Sequence, residues 1–288
     1  MKQTSVLALS IFLITALFSC AGDSENKIDE TVIEPIPVID IADYLGMNDG
    51  DVRMFTMPTP LQVSTTLKLM DLEYNNQILL PHNTGFKSDI EMAMGLGAYV
   101  VDLGYTTVYG NYQEGINYAQ DVEQIMGELN ISHYVSNAFM ERFKNNADNQ
   151  DSLCKIILSS YEKAHTYFNQ DEGTGLLILT GAYIEGLYYT TESTGASKWK
   201  EESTEVLKQQ EAFLDNFILL LSGYGSNSKI MDIVNEFKKL KTTFSGLGNY
   251  TYLDEDGNHV EETPDVKSAN ENIKKKVAEL RKKLLIVG

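Results

Sequence analysis

The chain is poor in the residues that most often announce a chemistry. In 288 residues it has two cysteines, one tryptophan, four histidines and six prolines. Two cysteines, at 20 and 154, cannot build the disulfide framework of a small secreted scaffold, and no Cys-x-x-Cys spacing exists for zinc or thiol exchange. His82, His133, His165 and His259 are scattered, with no HExxH and no pair at i, i+4. Nucleophile elbows and phosphate loops are absent too. These absences leave no cofactor and no metal to assign. Positive charge is also short: 23 basic residues face 41 acidic ones, a net charge of -18 with a pI near 4.6. Such a surface repels phosphate backbones and anionic headgroups, which argues against nucleic acid as a partner.

What the chain has is ordinary hydrophobic content, 43%, enough for a real core, and 16 tyrosines against 11 phenylalanines. A tyrosine ring packs like an apolar group while its hydroxyl seeks a partner, so many tyrosines suit boundaries between core and water. Cys154 lies in SLCKIILSSY, which reads as a helix, and is expected as a small core residue.

The N-terminus, MKQTSVLALSIFLITALFSC, runs from a basic start at Lys2 through an apolar stretch, Val6 to Phe18, to a cysteine. This is the order of a secretory signal, expected over 1–19. Its 13 apolar residues fall short of the roughly 20 that a spanning helix needs. Leu17-Phe18-Ser19-Cys20 resembles the lipobox of bacterial lipoproteins, although Phe18 is bulkier than usual there. That resemblance implies cleavage before Cys20 and acylation of its new terminus, as in palmitate-bearing lipoproteins. With about 0.8 kcal/mol per buried methylene, more than one chain anchors stably. Asp is not the residue after Cys20, so an outer-membrane location follows, facing the periplasm or the cell surface.

Residues 20–55 read as a lipidated terminus and acidic linker, and 56–288 as one helical domain. Thr59 is a candidate N-cap with Pro60 at the first helical position. Helical periodicity then predicts helices near 86–109, 112–129, 132–146, 148–170, 172–192, 197–221, 226–244 and 266–285, broken by glycine and asparagine. NYTYLDEDGNHVEET, 249–263, alternates about Asp256-Gly257 and predicts a small β-hairpin. A calcium loop starting at Asp254 would need glycine where His259 stands. The expected fold class is therefore all-α, a helical bundle or short α-solenoid with one hairpin insertion.

Gly97-Ala98-Tyr99-Val100 and Gly181-Ala182-Tyr183-Ile184 match, and Leu103, Tyr105, Thr106 and Thr107 match Leu187, Tyr189, Thr190 and Thr191. Two duplicated four-helix units, 86–170 and 172–285, are expected. Tyr99, Asp102, Tyr105 and Tyr109 fall along one side of the first copy. Glu185, Tyr188, Tyr189 and Glu192 form a similar stripe in the second, although Asp102 aligns with Gly186 rather than with Glu185. Gly97 and Gly104 would let another helix approach closely. A carboxylate in so apolar a helix needs partners, because burying it bare is costly. Tyr99, Asp102, Tyr105, Tyr109, Glu185, Tyr188 and Tyr189 are thus either a structural network or the lining of an acidic groove for a polar ligand.

Pro58-Thr59-Pro60 before a helix, GLGAYVVDLGYTTVYGNYQEGINYAQDVEQIMGELNI (95–131) and GAYIEGLYY (181–189) resemble a family of all-helical bacterial lipoproteins with no assigned activity. Its Asp-Leu-x-Tyr element corresponds to Asp102, Leu103 and Tyr105, and its Ile-Glu-x-Leu-Tyr element to Ile184, Glu185, Leu187 and Tyr188. The resemblance implies fold and location and adds no chemistry. The leading expectation is a non-catalytic, outer-membrane-anchored domain that binds a small molecule or a partner protein. The alternatives are a hydrolase using Asp102 and Glu185, or an accessory in glycan uptake. Imelysin-like helical peptidases carry a GxHxxE signature, and the chain is expected to fall outside that group.

Overall fold

The computed structural model describes residues 60–134, 138–168, 172–193, 201–247, 250–253, 259–262 and 266–286. The expected signal segment over 1–19, Cys20, the expected linker to residue 55 and Thr59 lie outside the described residues. Among those described are nine helices: α1 (Pro60–Leu69), α2 (Asp89–Val108), α3 (Tyr112–Glu128), α4 (Phe139–Asn145), α5 (Gln150–Phe168), α6 (Glu172–Ser193), α7 (Glu201–Ser222), α8 (Ser228–Phe244) and α9 (Val266–Leu285). They pack together, and the body is all-α as expected. The expected helix limits hold to within about a turn except at 132–146, which holds a 3-10 turn at Ser132–Tyr134 and then α4.

Local chemistry sets several of these boundaries. Ser88 caps α2, its hydroxyl accepting from the Glu91 amide at 3.4 Å, while the Glu91 carboxylate reaches back to the Lys87 amide at 2.6 Å. At the other end Gly110 adopts φ 75°, and the amides of Gly110 and Asn111 close onto the carbonyls of Thr107 and Thr106 at 3.0 and 2.7 Å. A left-handed glycine just past a helix satisfies carbonyls the helix leaves orphaned. Asn227 caps α8 through the amides of Lys229 and Ile230.

The centre of the body is the pair α2 and α6. They run parallel: Gly97 meets Ile178 and Ala182, Gly181 meets Met94, and further along Tyr105 meets Tyr189. A Cβ on Gly97 would lie 1.9 Å from the Ile178 carbonyl oxygen, and one on Gly181 would lie 1.8 Å from that of Met94. Only a hydrogen at each position allows the two backbones to come this close. Gly104 is buried on the same helix. The other elements enclose this pair: α1 and α3 pack on α2, α7 and α9 on α6, and α8 sits between α7 and α9. One large apolar cluster spans them, with Cys154 inside it as expected.

Between α1 and α2 the chain makes a 3-10 turn, Asn76–Ile78, and then a strap that lies along α2 with Ile78 and Leu80 buried. Segments Tyr250–Leu253 and His259–Glu262 pair antiparallel along the backbone. The Asp256-Gly257 turn expected between them lies outside the described residues.

Candidate functional site

The stripe on α2 meets the strap residue by residue, in antiparallel order. The Tyr99 hydroxyl donates to the Pro81 carbonyl at 2.8 Å and accepts from the Thr84 amide at 3.2 Å. Asp102 Oδ2 accepts from the Leu80 amide at 3.2 Å. The Tyr105 hydroxyl accepts from the Asn75 amide at 2.9 Å, and that of Tyr109 donates to the Leu72 carbonyl at 2.8 Å. From α3, the Tyr118 hydroxyl donates to the Leu80 carbonyl at 2.6 Å. The strap has no regular ladder of its own, so side chains satisfy its buried backbone groups instead.

The second stripe divides. Tyr189 faces α2 and donates its hydroxyl to Asp102 Oδ1. Glu185, Tyr188 and Glu192 face α9. Arg281 of α9 donates to both Glu185 oxygens, Nε to Oε2 at 2.7 Å and Nη2 to Oε1 at 2.6 Å. Arg281 Nη2 also donates to the Ile78 carbonyl at 2.9 Å, and the guanidinium lies 4.2 Å over the Tyr188 ring. Glu192 pairs with Lys274 at 3.0 Å. The structure therefore brings Asp102, Glu185, Tyr188 and Tyr189 together at one buried centre, while Tyr99, Tyr105 and Tyr109 bind the strap along its length. Asp102 takes a tyrosine donor, as the expected network requires, whereas Glu185 takes an arginine.

Asp102 and Glu185 are both 0% exposed and share a hydrogen bond. Burial lifts both carboxyls above their ordinary range. For Asp102 the charge of Glu185 adds to the lift, while for Glu185 the Arg281 guanidinium opposes it. Burial would pull Arg281 down, but Glu185 overrides this and holds it fully charged. The state these forces favour at neutral pH is a protonated Asp102 donating to an ionised Glu185, which Arg281 neutralises. The centre then carries no net charge, as burial demands. Tyr118 and Tyr189 hydroxyls beside it are held far above the phenol range by burial and the nearby carboxyls.

A second cluster lies at the outer edge of the strap. His82 Nδ1 meets Asp121, and Nε2 meets Glu114 Oε1 at 3.1 Å, both acids on α3, with the ring 4.3 Å from that of Tyr118. Asn117 steadies Glu114 at 2.9 Å. The acids take opposite nitrogens of one ring, so they cannot converge on a single ion. No group of three His, Cys, Asp or Glu among the described residues is arranged to hold a metal.

Sequence reasoning missed Arg281, His82 and the strap. Arg281 had a legible signal: it follows Ile273 and Val277 at helical spacing, on a face otherwise apolar, where a cation demands an acid. His82 had none, because its partners are 32 and 39 positions away. One exclusion also needs correction: Gly257-Asn258-His259-Val260-Glu261-Glu262 does keep the GxHxxE spacing. Part of it lies outside the described residues, and so short a pattern alone carries no peptidase reading.

Fold and site together define a class: a helical body built on two glycine-notched parallel helices, with a neutralised acid pair buried where they cross. No family model, no curated protein and no solved structure matches the chain. The lipoprotein resemblance thus rests on the residues quoted for it. No described helix is long and apolar enough to cross a membrane.

Proposed function

We propose that this chain is a lipid-anchored lipoprotein of the outer membrane, acylated at Cys20, whose helical body binds a ligand or partner at its outer surface and is not a catalyst. The observation that carries the non-catalytic part is the complete burial and pairing of Asp102 and Glu185. Glycosidase carboxyls stand about 5–10 Å apart across an open cleft. Here they touch each other, and protein donors occupy their oxygens. The tyrosine-lined groove foreseen for a ligand is filled by the strap. The anchor rests on the signal, the lipobox resemblance and the acidic linker. Membrane fractionation tests it: native protein should sediment with the outer membrane and Cys20→Ala should be released. A Cys20→Ala protein still in the membrane fraction would remove the anchor.

We also infer that 86–170 and 172–285 descend from one duplicated unit. A two-fold axis parallel to α2 and α6 would set equivalent residues face to face. Gly97 and Gly181, and Tyr105 and Tyr189, are equivalent at one offset and do lie across the pair from one another. Superposition of the halves in a crystal structure tests this, and unmatched helix order would refute it. Residues 249–263 are read as a hairpin inserted late in the second unit. Cross-strand NMR contacts between Tyr252 and Val260 would show it, and their absence would dismiss it.

A further inference from the structure

The charge of the molecule is unevenly placed. Helices α8 and α9 carry 11 basic and 4 acidic residues, in a chain that has 23 basic and 41 acidic in all. These two helices pack on one another, so nearly half of the positive charge gathers in one region of a protein with net charge -18. Arg281 pairs with Glu185, Lys274 with Glu192 and Lys241 with Asp215, while Glu236 is shared by three lysines. Glu236 pairs with Lys239 at 2.7 Å, Lys283 at 3.0 Å and Lys276 at 3.7 Å, and Lys239 and Lys283 hold its carboxyl down to about 2. With Glu279 3.6 Å from Lys276, two carboxylates stand among three ammonium groups, and this cluster keeps one net positive charge.

This region opens into a groove of about 510 Å³ between the C-terminal end of α8 and the face of α9. Its two walls differ in chemistry. On the α9 wall stand Asn272, Lys275, Lys276 and the carboxylate of Glu279. Lys275 is exposed, and Lys276 has only long contacts, 3.7 Å to Glu236 and 3.6 Å to Glu279. On the α8 wall stand Thr242, Thr243 and Ser245. Their hydroxyl protons are already given to the carbonyls of Lys239, Leu240 and Thr242, at 2.7, 2.6 and 2.9 Å. What these hydroxyls offer is lone pairs, at a helix C-terminus whose dipole is negative. Two ammonium groups against the one carboxylate of Glu279 leave the α9 wall net positive by one charge, and the other wall is rich in acceptors.

We propose that this groove binds a phosphorylated polyol or sugar, with its phosphate against Lys275 and Lys276 and its hydroxyls donating to Thr242, Thr243 and Ser245. Ammonium groups act as point charges suited to a multiply charged tetrahedral anion, whereas planar carboxylates are better matched by arginine. A lone anion would satisfy only one wall, and a neutral sugar only the other. The ligand can be free in solution or form the headgroup of a lipid. This deepens the binding reading above by naming a site and a ligand class. It fails independently of the anchor, which fractionation tests.

The experiment is an NMR and calorimetric titration of the full chain carrying Cys20→Ala, so that no acyl group contributes. The probes are glucose 6-phosphate, glucose and inorganic phosphate. Glucose 6-phosphate should bind saturably, with shifts at Thr242, Thr243 and Lys275, and about tenfold more tightly than either glucose or phosphate. Lys275→Gln with Lys276→Gln should weaken it by about tenfold while leaving the melting temperature near that of the parent. Thr243→Val should narrow the preference for glucose 6-phosphate over phosphate. Vesicles containing phosphatidylinositol 4-phosphate form a second arm: binding to them identifies a lipid-borne source, and binding to the soluble ester alone a free one. Binding to neither, equal binding of all three soluble probes, or undiminished binding by the folded lysine variant would overturn the proposal.

Discussion

Arg281 holds both oxygens of Glu185, at 2.6 and 2.7 Å, across 96 positions of sequence, with the guanidinium 4.2 Å over the ring of Tyr188, which lies between them in the chain. This contact fastens the last helix to the central pair, and it leaves Glu185 ionised where burial alone would neutralise it. Arg281→Met should therefore do more than remove a bond. It strands a buried carboxylate, and breaking such a pair costs about 3–5 kcal/mol. Freed of the guanidinium, Glu185 should take up a proton, so its folded pKa stays above the unfolded one. Stability tied to such a group is present below the unfolded value and is lost as pH rises through the folded value. Urea unfolding of Arg281→Met should show the larger loss at pH 8 and a smaller one near pH 5. An equal loss at both would argue against the assigned charge state.

Asp102→Asn tests the other half of the pair. Asp102 accepts from Leu80 and from Tyr189 with separate oxygens. An amide has one acceptor oxygen, so one of these buried donors goes unpaired, at a cost of about 1–3 kcal/mol. The amide can still donate to Glu185, so the loss should be smaller than for Asp102→Ala. Because the Asp102 pKa is raised on folding, wild-type folding takes up a proton, and stability from this group declines as pH rises from the ordinary carboxylate range toward its folded value. That slope should vanish in Asp102→Asn. An unchanged slope would mean that Asp102 is ionised in the fold.

Two glycine substitutions should have opposite signs. Gly181→Ala places a Cβ 1.8 Å from the Met94 carbonyl oxygen, a backbone atom that only a shift of the whole α2–α6 crossing can relieve. Its cost should reach or pass the upper end of the about 1–3 kcal/mol typical of overpacking. Gly127 in α3 has nothing nearer than Ser132 Oγ at 3.9 Å. There alanine should gain roughly 0.5–1 kcal/mol of helix propensity. Thermal melts of the two variants separate the outcomes, and a neutral Gly181→Ala would contradict the close crossing.

The helices were legible because their signals are local: apolar period, Gly110 and Asn227 at the breaks, proline at the start of α1. The stripe from Tyr99 to Tyr109 was legible as a stripe for the same reason. What it faces was not. A helix shows which residues share a side, and it says nothing of whether that side meets a ligand or another part of the chain. The strap that fills it has no period, and its backbone is held by side chains from α2, α3 and α9. The net charge hides a local feature in a similar way: averaged over 288 residues it gives -18, and the average conceals the concentration of lysine on α8 and α9.

His82 makes the strap sensitive to pH. Both ring nitrogens face carboxylates, Asp121 at Nδ1 and Glu114 at Nε2, a geometry that suits a doubly protonated ring; its other close neighbours are the uncharged Tyr118 ring and Asn117, which holds Glu114. Partial burial pulls the His82 pKa down, but the hydrogen bonds to Asp121 and Glu114 outweigh it, and the net shift is upward. A raised histidine stabilises the fold fully below its unfolded value, near 6.5, and that contribution fades as pH rises through the folded value. Melting temperature should accordingly fall between pH 6 and pH 8.5, and His82→Gln should flatten that part of the fall while lowering stability most at pH 6. Hydrogen exchange at the Leu80 and Thr84 amides, which the strap presents to Asp102 and Tyr99, should quicken over the same range in the wild type more than in the variant. Strap amides that exchange at one rate across the range, after correction for intrinsic exchange, would show that the clasp is not what holds the segment down.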